Sequence, residues 1–177
     1  MGNCATTKCK GNRIKDYLLI SSERLNYLQR KDENSLLIFK EELEELLRSS
    51  KIHQAIVKSR HIMDLENEIL LIEAMKGLIK NLLYQINNSN EALSTGISRE
   101  DLISLIFASE KIHIEELEKF KKECSEKFNS SFVVNAIENS KKEVNSSVLK
   151  FTVDRNVIDD DVNVWMKKFA DSKGIDL

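Results

Sequence analysis

From residue 13 to residue 87 the chain holds no proline and a single glycine, Gly77, and the whole 177-residue sequence contains no proline. Average usage of ~5% would place about nine prolines in such a length. Proline and glycine are the residues that interrupt long helices. A stretch this poor in breakers, with apolar residues at helical spacing, leaves little but long helices to form. The apolar pattern restarts at Ser49-Ser50-Lys51, which predicts two helices, about 13–48 and 51–87, folded back as a hairpin. Each would run on the order of 54 Å at 1.5 Å per residue.

The first helix carries Ile14, Leu18, Leu25, Leu28, Phe39, Leu43 and Leu46 at three-or-four spacing, with Ser21, Asp32 and Ser35 as gaps. The second answers with Ile52, Ile56, Ile62, Ile69, Ile72, Ile79, Leu82 and Ile86. Such stripes are what one helix packs on another. Gly77 is either a notch where another helix crosses closely or a tolerated weak spot.

The polar run from Asn87 to Gly96 reads as a loop. Ser98 then suits a helix N-cap, with Glu100 and Asp101 in the first turn, and predicts a short third helix over 99–108. A fourth helix is expected over about 110–139, burying Ile112, Ile114, Leu117, Phe120, Cys124, Phe128 and Phe132. Val144, Val148, Leu149 and Phe151 suggest a short helix and an extended tail. The last helix starts near Asp159-Asp160-Asp161, where acids face the positive end of the helix dipole, and stops at Gly174. Ile158, Val162, Trp165 and Phe169 share one face of it, and the chain's only tryptophan is the expected anchor onto the hairpin.

No catalytic constellation stands out. His53, His61 and His113 are scattered, and His61 with Asp64, one turn apart, supplies two metal ligands where a site needs more. The aspartate triplet lacks the glycine and alternating oxygen ligands of a calcium loop, and there is no phosphate loop or nucleophile elbow. Charge runs such as Glu41-Glu42-Leu43-Glu44-Glu45 are solvated helix faces. The reading is therefore a non-enzyme with no cofactor and no metal. Cys4, Cys9 and Cys124 form no disulfide framework, which points to a reducing compartment, and Cys124 belongs to a buried helix face.

Charge is unevenly placed. Residues 1–31 hold seven Lys/Arg against two acids, for +5, while the remaining twenty bases and twenty-seven acids give −7. A basic head on an acidic body suits an anionic membrane surface, and no aromatic interleaving points to nucleic acid. No apolar run approaches the ~18–20 residues that span a bilayer. Met1-Gly2-Asn3-Cys4-Ala5-Thr6 fits the N-myristoylation pattern. One myristoyl chain binds only marginally, and stable anchoring needs a second signal. Cys4 and Cys9 are palmitoylation candidates, and Lys8, Lys10, Arg13 and Lys15 form a basic patch for membrane contact. The expected organisation is a lipidated, basic tail over 1–12 and one helical domain over 13–177, peripheral on a cytoplasmic membrane face.

Several stretches resemble one family. KIHQAIVKSRHIMDLENEILLIEAM (51–75), with Ala55, His61-Ile62 and Glu73, is similar to the second helix of the increased-sodium-tolerance branch of ESCRT-III-related proteins. DLISLIFASEKI (101–112), ECSEKF (123–128), Val144-Asn145 and WMKKFADSKGI (165–175) look like its later segments, in the same order. The resemblance covers about 13–177 and implies an all-α ESCRT-III-like core: a long hairpin, shorter third and fourth helices, and a C-terminal helix folded back as an autoinhibitory element. It further implies regulation of ESCRT-III filament assembly and disassembly in endosomal, multivesicular-body sorting. A groove of the core would accept the C-terminal helix of an ESCRT-III subunit. Family members usually carry a long tail that binds the AAA ATPase; this sequence ends at Leu177, so the expected link to the ATPase is indirect. The linker before the last helix also lacks the prolines expected there. The competing reading is a lipid-anchored helical adaptor with no ESCRT role.

Overall fold

The computed structural model describes residues 4–88, 97–152 and 159–176, with side chains from Arg13 onward except at Asp159. All regular structure among these residues is helical: α1 (Cys4–Arg48), α2 (Ile52–Asn88), α3 (Arg99–Ala108), α4 (Glu115–Phe128), α5 (Ser130–Glu138), α6 (Ser146–Thr152) and α7 (Asp159–Ser172). The two long helices and the third match the sequence expectation within a residue or two, except that α1 begins at Cys4 rather than near 13.

The turn between α1 and α2 shows why the chain reverses at Ser49-Ser50-Lys51. Ser50 takes a left-handed conformation (φ 56°). Its N–H donates to Leu47 O at 3.0 Å, and the Lys51 N–H reaches back to Leu46 O at 2.9 Å. This pair of bonds satisfies two carbonyls that a helix end leaves open.

The chain packs as two units. One comprises Met1–Tyr27 and Leu71–Thr152. Within it α3 has Leu102, Ile103, Ser104, Leu105, Ile106 and Ala108 all buried, the mark of a helix enclosed on nearly every side. Its start is capped as expected, the Ser98 Oγ accepting from the Asp101 N–H at 3.1 Å. Ile14, Leu18 and Leu25 of α1 are buried here. So is Ser21, which the sequence pattern treats as a gap. Gly77 is no notch: a Cβ added there would meet nothing within 4 Å.

The expected fourth helix is two. Asn129 adopts φ 100° and caps α5, its Oδ1 accepting from the Phe132 N–H at 2.9 Å and the Ser131 hydroxyl at 2.7 Å. A side chain that bonds the local backbone this way competes with continuation of the helix. The apolar pattern runs across the break because both halves bury residues: Leu117, Phe120 and Cys124 before it, Phe132 after it. Residues Glu110 to Ile114 lie outside any helix, although Ile112 and Ile114 are buried as expected.

The second unit comprises Leu28–Leu70 and Val153–Leu177. Its core is Leu43, Leu47, Ala55, Ile62, Met166, Ala170 and Ile175, with Leu36, Phe39, Leu46, Ile56, Trp165 and Phe169 packed partly buried around it. The terminal helix therefore lies on the turn end of the hairpin.

Candidate functional site

Two features of the second unit bear on function: the seat of α7 and an open groove on the hairpin. The seat is narrow. Val162 and Ala170 are fully buried and Met166 nearly so, one turn apart along α7. Met166 and Ala170 on this line pack into the cluster of Leu43 and Leu47 of α1 and Ala55 and Ile62 of α2. Trp165 and Phe169 flank the line, half-buried, their rings stacked at 5.6 Å and 8°. The sequence places Ile158, Val162, Trp165 and Phe169 on the docking face, with Trp165 as its anchor. Val162 belongs to the buried line, Trp165 and Phe169 pack partly buried against the core beside Met166 and Ala170, and Ile158 lies outside the described residues.

The end of α7 is locked by backbone and charge. Gly174 sits at φ 62°, where a side chain would be strained. The Ile175 N–H bonds Ala170 O at 3.0 Å, and the Ile175 side chain folds into the core beside Ala170. Glu44 of α1 takes Lys173 Nζ at 2.9 Å and Arg48 Nη2 at 2.8 Å. Arg48 also donates to Lys173 O at 3.4 Å, placing a cation at the negative end of the helix dipole. Hydrogen bonds from Lys173, then from Arg48, hold the Glu44 carboxyl below its ordinary range.

The open groove, of about 650 Å³, is lined by Phe39 and Leu46 of α1 and by His53, Gln54, Val57, Lys58 and His61 of α2. The His61 ring meets the Phe39 ring edge-on at 4.9 Å. Lys58 Nζ lies 4.5 Å from the centre of the Phe39 ring and 2.5 Å from Glu42 Oε2. Among the described residues, none of α7 lines this groove. The sequence offers only scattered histidines here, His53 and His61, and nothing that singles out Val57.

The other expected residues are less concentrated. Gly2 lies outside the described residues, and so do the side chains of Cys4, Lys8, Lys10 and Cys9. Arg13 Nη1 is 3.6 Å from Glu123 Oε1 in the first unit, and Lys15 is half-buried. No group of three potential metal ligands occurs among the described residues. Cys124 is fully buried, and burial pushes its thiol up to about 12, far from a nucleophile's range. Among the described residues no helix is long and apolar enough to cross a membrane.

The family model for Ist1, regulator of Vps4 activity in the MVB pathway, matches residues 15–176. Among solved structures, the chain is similar to the S. cerevisiae Ist1 N-terminal domain, crystallised in complex with the Did2 MIM motif. The identity is 21% and the TM-score 0.80, over 94% of this chain and 94% of that one. At this identity the likeness establishes the fold. No curated protein matches the sequence.

Proposed function

This chain belongs to the Ist1 family, whose members regulate Vps4 activity in the MVB pathway, and from that premise we propose that it works as a latched, helix-binding regulator of ESCRT-III filaments. In the latched state α7 occupies the hairpin; released, the hairpin is free to assemble with ESCRT-III subunits. The observation that carries this reading is the seat of α7, where a continuous apolar line is closed by the Glu44 clasp. The partner is an ESCRT-III subunit bound through its C-terminal helix, by the helix-in-groove mode. The crystallised complex of the yeast domain with the Did2 MIM motif makes that peptide the first to try. The link to the ATPase then runs through the partner.

The membrane is reached by an anchor at the amino terminus. Gly2 would carry myristate, Cys4 and Cys9 palmitate, and Lys8, Lys10, Arg13 and Lys15 would meet anionic headgroups. Each basic residue near such a surface contributes about 1 kcal/mol, and Arg13 less while Glu123 holds it. Gly2→Ala should shift the protein from membrane to cytosol in cells fed a myristate analogue; unlabelled wild type with unchanged localisation of the variant would remove the anchor from the reading.

The whole proposal is tested by electron microscopy of the protein with an ESCRT-III subunit on anionic liposomes, beside calorimetry against a panel of ESCRT-III C-terminal helices that includes the Did2 MIM motif. Mixed filaments, more abundant for a Met166→Asp variant, and micromolar binding of about −8 kcal/mol are expected. Absence of both filaments and peptide binding, with the protein folded, would reject it.

A further inference from the structure

Along most of the hairpin α1 and α2 bury side chains in turn, and in one section they do not. On α1 no residue is buried between Leu25 and Leu43, and on α2 none between Ile62 and Leu71. Those runs are about five and about two turns of helix. Leu28, Leu36, Leu65 and Ile69 carry the apolar period through them but reach only half-burial. The division of the chain into its two units borders the same section, falling after Tyr27 on α1 and after Leu70 on α2.

Within this section the core-facing line of α1 passes through an acid. Leu25, Leu28, Leu36, Phe39 and Leu43 follow at helical spacing, and the position that continues the line between Leu28 and Leu36 is Asp32. Asp32 is half-buried, and Glu68 of α2 lies near enough for the Asp32 charge to act on it. Among the described residues neither carboxylate makes a hydrogen bond or an ion pair. Cross-helix charges nearer the turn are matched, Lys40 Nζ with Glu66 Oε1 at 2.7 Å and Lys58 Nζ with Glu42 Oε2 at 2.5 Å. Glu33 accepts from Gln29 Nε2 at 2.9 Å, and Arg30 and Asp64 are exposed. Lys31, also exposed, acts on both carboxyls and is outweighed. Partial burial raises Asp32 above its ordinary range; loss of solvent, and after it the charge of Asp32, raises Glu68.

We propose that this section is a joint built into the hairpin: α1 and α2 part locally around Asp32 and Glu68 while the packed stretches beyond stay closed, and the repulsion of the two carboxylates keeps the joint loose at neutral pH. Buried apolar area is what holds two helices together, and stretches that bury little of it open first. Two like charges without a partner add a cost that a proton, or loss of either charge, relieves. Both carboxyls titrate higher in the folded chain than in the unfolded one. Closure therefore gains as pH falls through their range and is lost as pH rises above it. A long two-helix beam can in this way yield at one place without unpacking its core.

The experiment is hydrogen exchange of the full chain, read as protection factors. At neutral pH the amides of 28–36 and 63–70 are expected to be roughly tenfold less protected than those of 14–25 and 71–82. Asp32→Asn keeps the shape and removes the charge, and should raise protection in the section on both helices by roughly tenfold. Glu68→Gln should act in the same direction and less, since Glu68 is the more exposed of the two. Glu23→Gln removes the same charge from an exposed position of α1 outside the section and should leave protection there unchanged. Lowering the pH toward about 4.5 should raise protection of the section relative to its flanks in the wild type, and Asp32→Asn should lose most of that rise. Equal protection of section and flanks in the wild type overturns the joint. Unchanged or lower protection in Asp32→Asn, or a rise no greater than in Glu23→Gln, overturns the role of the carboxylate pair.

Discussion

Replacing Met166 with alanine should free α7 without disturbing the rest of the molecule. Met166 is 6% exposed at the middle of the buried line, between fully buried Val162 and Ala170. Truncating a buried methionine to alanine costs about 2–5 kcal/mol, from lost apolar burial and the cavity left behind. At about 1.4 kcal/mol per tenfold, the population of undocked α7 should rise at least roughly thirtyfold. Alanine is a better helix former than methionine, so any loss reports docking rather than intrinsic helix stability. Hydrogen exchange of the α7 amides is the direct assay: they should lose protection while those of α3, in the other unit, keep theirs. Trp165 fluorescence should shift to the red as its half-buried site against the hairpin is lost. Val164→Ala, on the exposed side, is the matched control. If exchange from α7 is the same in Met166→Ala as in Val164→Ala, the buried line does not hold the helix and the latch is refuted.

Gly77 lies mid-helix in α2 with open space where a Cβ would go, so Gly77→Ala should stabilise by about 0.5–1 kcal/mol in urea melts. A destabilised variant would mean that something packs there after all. The Ser21 hydroxyl is buried and makes no hydrogen bond, and Ser21→Ala should therefore raise the melting temperature, removing a desolvated group worth about 1–3 kcal/mol. Cys124 gives a pH signature. Its thiol ionises near 9 when unfolded and near 12 when folded. Between those values the unfolded chain has lost a proton that the native state keeps, so this thiol's contribution falls as pH rises through that window, by up to about 1.4 kcal/mol per unit. Cys124→Ala should flatten that decline in denaturant melts at pH 8 to 11, and an unchanged slope would show that the thiol is not shielded.

Much of this architecture is written in local patterns. The absence of breakers from 13 to 87 leaves no alternative to two long helices, and Ser49-Ser50-Lys51 is where their backbone bonds can be closed off. Ser98 specifies the start of α3 and Gly174 the end of α7, because capping is settled by a residue and its near neighbours. Burial of Cys124 likewise follows from its phase on an apolar stripe. Other features needed the packed chain. Asn129 splits the fourth segment although the apolar period runs through it, since periodicity reports which side is buried and not whether the backbone is continuous. On α7 two overlapping stripes were available, one through Trp165 and Phe169, the other through Met166 and Ala170. Met166 and Ala170 are the fully packed pair, and Trp165 and Phe169 pack partly buried beside them against the same core. The groove between Phe39 and Val57 has no local signal at all. It exists because residues from two helices, separated in sequence by the turn, come to face one another. Period and capping act within a few residues and can be read from order; which side chains meet across two helices depends on what the rest of the fold brings alongside.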